Sequence, residues 1–186
     1  MHETKLIKTL RTLNRKELGE LLRFSQSGLV TITDKGQELL ELIHSCSPAF
    51  TSPRLKKEQL FTKLFKGDPY NDTKLRLLQS DLLKLANQYI STKMLLASSY
   101  EAEMLQLEHF IKAENNDYTL RRIDEFTRKV DAIPYQNENY FYLRFRVEQM
   151  KSNYFAKRSK DYALEKKKKN LEAFYFLNKL KLFCVR

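Results

Sequence analysis

LFKGDPYNDTKLRLLQSDLLKLANQYI, residues 64–90, decides how this chain folds. Gly67 supplies a helix stop, because glycine takes left-handed backbone angles without a Cβ clash. Pro69 and Tyr70 turn the chain, and Asn71-Asp72 offers side-chain oxygens that can start another helix. From there Leu75, Leu78, Leu82, Leu85 and Tyr89 alternate steps of three and four, a continuous apolar seam at helical spacing. Leu77, Leu83 and Ile90 widen that seam, so the reading is a central helix contacted on more than one side. Two arrangements compete for the stretch: a helix-turn-helix that offers its second helix to nucleic acid, and a packed hairpin of a helical scaffold.

Upstream, Leu6, Leu10 and Leu13 share one face of a helix read over about residues 4–13. Asn14 caps a second helix with Leu18, Leu21, Leu22 and Phe24 as its stripe. SQSG at 25–28 is a stop, and LVTIT, the next five residues, reads as a short strand. Thr33 or Asp34 caps a third helix carrying Leu39, Leu40, Leu42 and Ile43. Ser52 with Pro53 opens a fourth, carrying Leu55, Leu60, Phe61, Leu64 and Phe65. Beyond Ser91 the breakers thin out. Long helices are read over about 92–112, 117–133, 137–155 and from 160 onward, pairing through short turns as antiparallel hairpins.

The expected fold is all-α. A compact N-terminal helical subdomain, residues 1–90, is winged-helix-like in the order of its helices. Antiparallel helical hairpins stacking toward an α-solenoid follow over 91–186, and the pattern still runs at LKLFCVR, which suggests a longer full-length protein. Composition agrees: hydrophobic residues make up 42% of the 186, too many for a disordered chain, and four Gly with four Pro leave few turns for a many-stranded sandwich.

The net charge is +11, so a polyanionic partner has to be considered. The excess is spread, +5 over residues 1–90 and +6 beyond. Both signs occur throughout, as on an ordinary soluble surface. Cys46 and Cys184 sit far apart with no CxxC or Cys/His spacing, which argues against a zinc site or a disulfide scaffold. The charged N-terminus has no signal-like apolar core, and no apolar run reaches membrane-spanning length. The expected location is cytoplasmic, away from the membrane.

Two basic regions could serve nucleic acid. Lys74, Arg76 and Lys84 lie on the helix after the turn, where a recognition helix would carry its contacts. Against this, KGDPYND is longer than the usual three- or four-residue turn, and Asp81 sits among the basic residues. The second region, Arg144 to Lys169, holds ten Lys+Arg against three acids and ends in Lys166, Lys167, Lys168 and Lys169. Tyr154, Phe155 and Tyr162 interleave it, so rings could stack on single-stranded bases. Four consecutive lysines, however, point nearly all the way round a helix and cannot form one stripe. A lysine run on a helix is more often a solvated face.

Signals for catalysis are weak. His2, His44 and His109 lie far apart, Glu-x-x-His is missing around Glu101, Glu103 and Glu108, and no phosphate-loop or nucleophile-elbow motif occurs. The reading is a protein that is not an enzyme, with no catalytic residues, no cofactor and no metal.

The run Leu64, Phe65, Gly67, Pro69, Tyr70, Asn71, Asp72, then Lys74, Leu75, Arg76, Leu78, Ser80, Asp81, Leu82, Leu83, Lys84 and Leu85 resembles a stretch of an uncharacterised family of long bacterial helical proteins. The likeness implies a helical fold and carries no activity with it. The second half is loosely similar to tetratricopeptide-type helical repeats, in which each helix pair touches mainly its neighbours. It departs from them in having no regular period of small residues and prolines.

The function expected from these residues is a non-catalytic helical scaffold or adaptor that binds a partner protein, of unknown oligomeric state. Candidate partner-binding residues are Tyr135, Tyr140, Tyr142, Arg144, Arg146, Lys157 and Arg158. The alternative is a nucleic-acid-binding regulatory protein acting through Lys74, Arg76 and Lys84 or through Lys166–Lys169. Charge geometry separates the two: a basic face free of carboxylates favours nucleic acid, and acids pairing off the basic residues disfavour it.

Overall fold

A computed structural model describes residues 3–113, 116–156 and 165–184. Every regular element among these residues is helical, and the chain divides into two compact units, Met1–Ala97 and Ser98–Arg186. The change of texture at residue 91 falls inside a helix, because Ser91 and Thr92 offer no break and the helix runs on to Ala97.

The first unit contains α1 (Lys5–Leu10), α2 (Arg15–Ser25), α3 (Asp34–Ser45), α4 (Lys57–Leu64) and α5 (Asp72–Ala97). Local chemistry starts these helices. Asn14 Oδ1 accepts the Glu17 amide at 3.0 Å while Glu17 accepts the Asn14 amide at 2.7 Å, a reciprocal cap on α2. Thr33 Oγ1 accepts the Gly36 amide at 3.1 Å and caps α3. Ser52 and Pro53 start only a 3₁₀ turn, Pro53–Leu55, which buries Leu55; Lys56 is extended, so α4 begins at Lys57. Gly67 at φ +88° ends the α4 segment in the left-handed region, as its residue type requires. The LVTIT strand does not form. Residues 29–33 are bends and coil, and without a strand pair among the described residues there is no wing.

α5 packs against α1, α2, α3 and α4. Its seam of Leu75, Leu78, Leu82, Leu85 and Tyr89 is buried throughout, and Leu83 and Ile90 pack partly against the same core. Leu77 does not widen the seam. It is 63% exposed, because two residues on from Leu75 is the opposite face of the helix. Leu6, Ile7 and Leu10 of α1, Leu18 and Leu21 of α2, Leu39 and Ile43 of α3, and Leu60 and Phe61 of α4 complete the core.

The second unit consists of α6 (Ser99–Lys112), α7 (Asn116–Asp131), α8 (Glu138–Ala156) and α9 (Glu165–Cys184). Successive helices pack on each other as hairpins, and α6 also meets α8. Met104, Leu107 and Ile111 face Ile123, Phe126 and Val130, with Leu143, Val147, Met150 and Tyr154 from α8. On α8 the buried line is this last set, at steps of four, three and four, while Phe141 and Phe145 are half-buried beside it. Met94 and Leu95 belong to α5, not to the helix after it.

A core leucine and an exposed one two residues apart make a direct test of this packing. Leu75→Ala should destabilise the first unit by about 2–5 kcal/mol, and Leu77→Ala should stay within about 0.5 kcal/mol of wild type, read by urea unfolding of the full chain.

Candidate functional site

The three basic side chains on the first part of α5 are paired off. Lys74 Nζ lies 2.9 Å from Asp68 Oδ2, Arg76 Nε 2.5 Å from Asp72 Oδ2, and Lys84 Nζ 3.0 Å from Asp81 Oδ1. Asp72 is also shared: Lys57 Nζ donates to its Oδ1 at 2.9 Å and the Tyr70 hydroxyl at 3.1 Å. The Lys57 hydrogen bond, joined by the one from Tyr70, holds the Asp72 carboxyl below the usual aspartate range, as Lys74 does for Asp68. The KGDPYND turn is thereby tied to α4 and α5 by its own acids. By the charge criterion, this is the arrangement that disfavours a nucleic-acid face here.

A second charge cluster joins the far end of α5 to α2. Lys93 Nζ donates to Glu17 at 2.7 Å and to Glu20 at 3.4 Å, and the Tyr89 hydroxyl donates to Glu20 at 2.7 Å. The Lys93 hydrogen bond lowers the Glu17 pKa, and the Tyr89 hydrogen bond lowers that of Glu20.

In the second unit the candidate arginines act as pins between helices. Arg144 pairs with Asp131 across α8 and α7 at 2.5 Å, and Arg146 with Glu108 across α8 and α6 at the same distance. Glu103 of α6 is nearly buried between Arg122 and Lys129 of α7, at 3.3 and 2.8 Å. Tyr142 is spent similarly: its ring lies 5.5 Å from Phe174 and its hydroxyl accepts from Arg146 Nη1 at 3.0 Å. Tyr140 is half-buried and, with Tyr100 and Met104, lines a cavity of about 330 Å³. Tyr135 is 79% exposed in the α7–α8 connection. Lys157 and Arg158 lie outside the described residues.

The lysine run starts α9. Lys169 pairs with Glu165 at 2.8 Å and Lys168 with Glu172 at 3.9 Å, each along its own helix, and Lys167 sits 5.9 Å from the Phe145 ring. Lys166 is exposed. Three of the four thus have a partner on α8 or α9, and they fan around the helix as their spacing requires.

The surface that stands out lies further along α9. Phe174 and Leu177 face α8 and are half-buried, and Lys181 pairs with Glu138. Outside them Leu171, Tyr175, Phe176, Leu180, Leu182 and Phe183 are each between 45% and 79% exposed. Leu171 and Leu180 therefore point away from α8. FYFL and LKLF put apolar residues all round this helix, and α8 covers only one side of it.

Among the described residues no three His, Cys, Asp or Glu side chains gather as metal ligands. His44 is on α3 and His109 on α6, where its ring meets Phe110 edge-on at 5.9 Å; His2 lies outside the described residues. No helix of the described residues is long and apolar enough to cross a membrane. Compared with known protein families, with curated proteins and with solved structures, the chain matches none.

The α2–α5 charge cluster has a pH signature. Glu17 and Glu20 titrate below their ordinary value of 4.5 in the folded chain, so their stabilisation is complete above that pH and is lost as pH falls through the lower folded values. Lys93→Met should raise both glutamate pKa values toward 4.5 in a carboxyl NMR titration. It should also flatten the acid-side loss of stability seen in urea unfolding between about pH 5 and 3.

Proposed function

We propose that this chain is a non-catalytic helical scaffold that binds a partner protein, with the outward face of α9 as its docking surface. The observation carrying this reading is the set of six large apolar side chains left in solvent on that one helix. Scattered exposed apolar residues are ordinary, but a contiguous patch of this kind marks an interaction surface on most soluble proteins. The Tyr142, Arg144 and Arg146 group supports it from behind, since those residues hold α8 to its neighbours and to α9.

A cytoplasmic scaffold whose helix pairs contact mainly their neighbours fits the tetratricopeptide-type comparison, and it remains part of the same proposal. Nucleic-acid binding through Lys74, Arg76 and Lys84 is the weaker reading, because each of those side chains has a carboxylate within 3.0 Å.

A photo-crosslinking residue at Phe176, compared with one at exposed Thr62 of α4, tests the proposal in the native cell. The expected result is a discrete protein adduct from position 176 and none from 62. Crosslinks to nucleic acid, or equal labelling from both positions, would overturn it. In parallel, fluorescence anisotropy with mixed-sequence duplex DNA, single-stranded DNA and RNA should show no binding tighter than about micromolar near physiological salt.

A further inference from the structure

We infer that the face of α9 left in solvent pairs with the same face of a second copy of this chain, antiparallel about a two-fold axis between Tyr175 and Phe176. This rests on the docking reading above and names the protein that docks. Glu172, Phe176, Lys179 and Phe183 stand at i, i+4, i+7 and i+11, so they form one line along the helix, and all four are exposed. Phe174 and Leu177 take the other side, toward α8. At their observed exposures the six large apolar side chains of α9 leave roughly 700 Å² in solvent, close to the share of about 800 Å² that each partner gives to a standard interface.

The line is self-complementary, as a two-fold interface requires. In this register Glu172 faces Lys179 of the second copy, and Lys179 faces its Glu172. Leu171 meets Leu180, Tyr175 meets Phe176 and Lys181 meets Asn170, so no lysine of α9 stands opposite another. Parallel pairing instead sets Glu172 beside Glu172 and Lys179 beside Lys179. Neither charge is held firmly within its own chain. Glu172 reaches Lys168 at 3.9 Å, with both side chains more than half exposed, a pair worth little. Lys179 Nζ lies 5.9 Å from the Tyr175 ring and has no carboxylate partner among the described residues. Occupants of one sign satisfy half of the line. An acidic helix or an anionic lipid surface is set against Glu172, and a basic helix is set against Lys179. A copy of α9 matches both charges and the rings between them.

The test is sedimentation velocity of the full chain from about 1 to 100 μM, the range of a modest self-association. The wild-type chain should dimerise over this range, and Phe176→Asp should be monomeric. Glu172→Lys and Lys179→Glu should each weaken the dimer at least about tenfold at low salt, and less at high salt, because each sets two like-charged pairs across the axis. Mixed in equal amounts, these two variants should associate with each other as tightly as wild type does with itself. Mixing does not repair a folding defect, so this arm reads the pairing alone. All three positions are exposed, and circular dichroism checks that the variants fold. A monomeric wild type, a dimer indifferent to Phe176→Asp, or charge reversals that mixing does not rescue would overturn the inference. So would co-sedimentation with phosphatidylserine vesicles that Phe176→Asp abolishes. If the chain is monomeric and position 176 still crosslinks to a different protein, the docking surface stands and only self-pairing falls; if it is monomeric and position 176 crosslinks to no protein, the scaffold reading falls too.

Discussion

Burial of the Leu75–Tyr89 seam on α5 is the constraint around which the first unit is arranged. The other four helices of that unit are short, the longest being the twelve residues of α3. Helices of that length are marginal alone, so their stability comes from packing an apolar face. The core residues of α1, α2, α3 and α4 gather in the same cluster as α5's leucines. The turn before α5 does its part through charge, since Asp68 and Asp72 pull Lys74, Lys57 and Arg76 onto it. Lys57, Lys74 and Arg76 are thereby paired with acids at the start of this helix.

Among the described residues the second unit solves the same problem with less apolar material and more ion pairs between its helices. Three helices share a core, and Glu103, Glu108 and Asp131 each bind a basic residue from a neighbouring helix. Pairs of this kind add little free energy where they are solvated. α9 is the departure. It rests on α8 through half-buried side chains, and none of its described side chains enters the shared core. Its apolar residues outnumber what one neighbour can cover, which is why a row of them stays in solvent on its outer side.

Much of the helical order of residues 5–67 could be read because several starts and stops had a local cause. Asn14, Thr33 and Gly67 act within three or four residues of themselves, so their effect needs no knowledge of distant partners. LVTIT misled because alternation over five residues is satisfied by coil as easily as by strand. The site was much less legible. Tyr142, Arg144 and Arg146 looked like surface groups, since nothing nearby in sequence announces Phe174, Asp131 or Glu108 as their partners.

The sequence alone determined that this chain is helical, where its strongest caps and stops lie, and that α5 is the centre of its unit. Those properties follow from spacing and short-range hydrogen bonding, which a linear string records. Only the tertiary structure decided that Lys93 is paired with Glu17 and Glu20 of α2 and that Leu77 is outside while Leu75 is inside. It also decided that the aromatic side of α9 is uncovered. Each of these depends on which neighbour occupies a given face, and a helix with apolar residues on every side does not say which of them will be left in water.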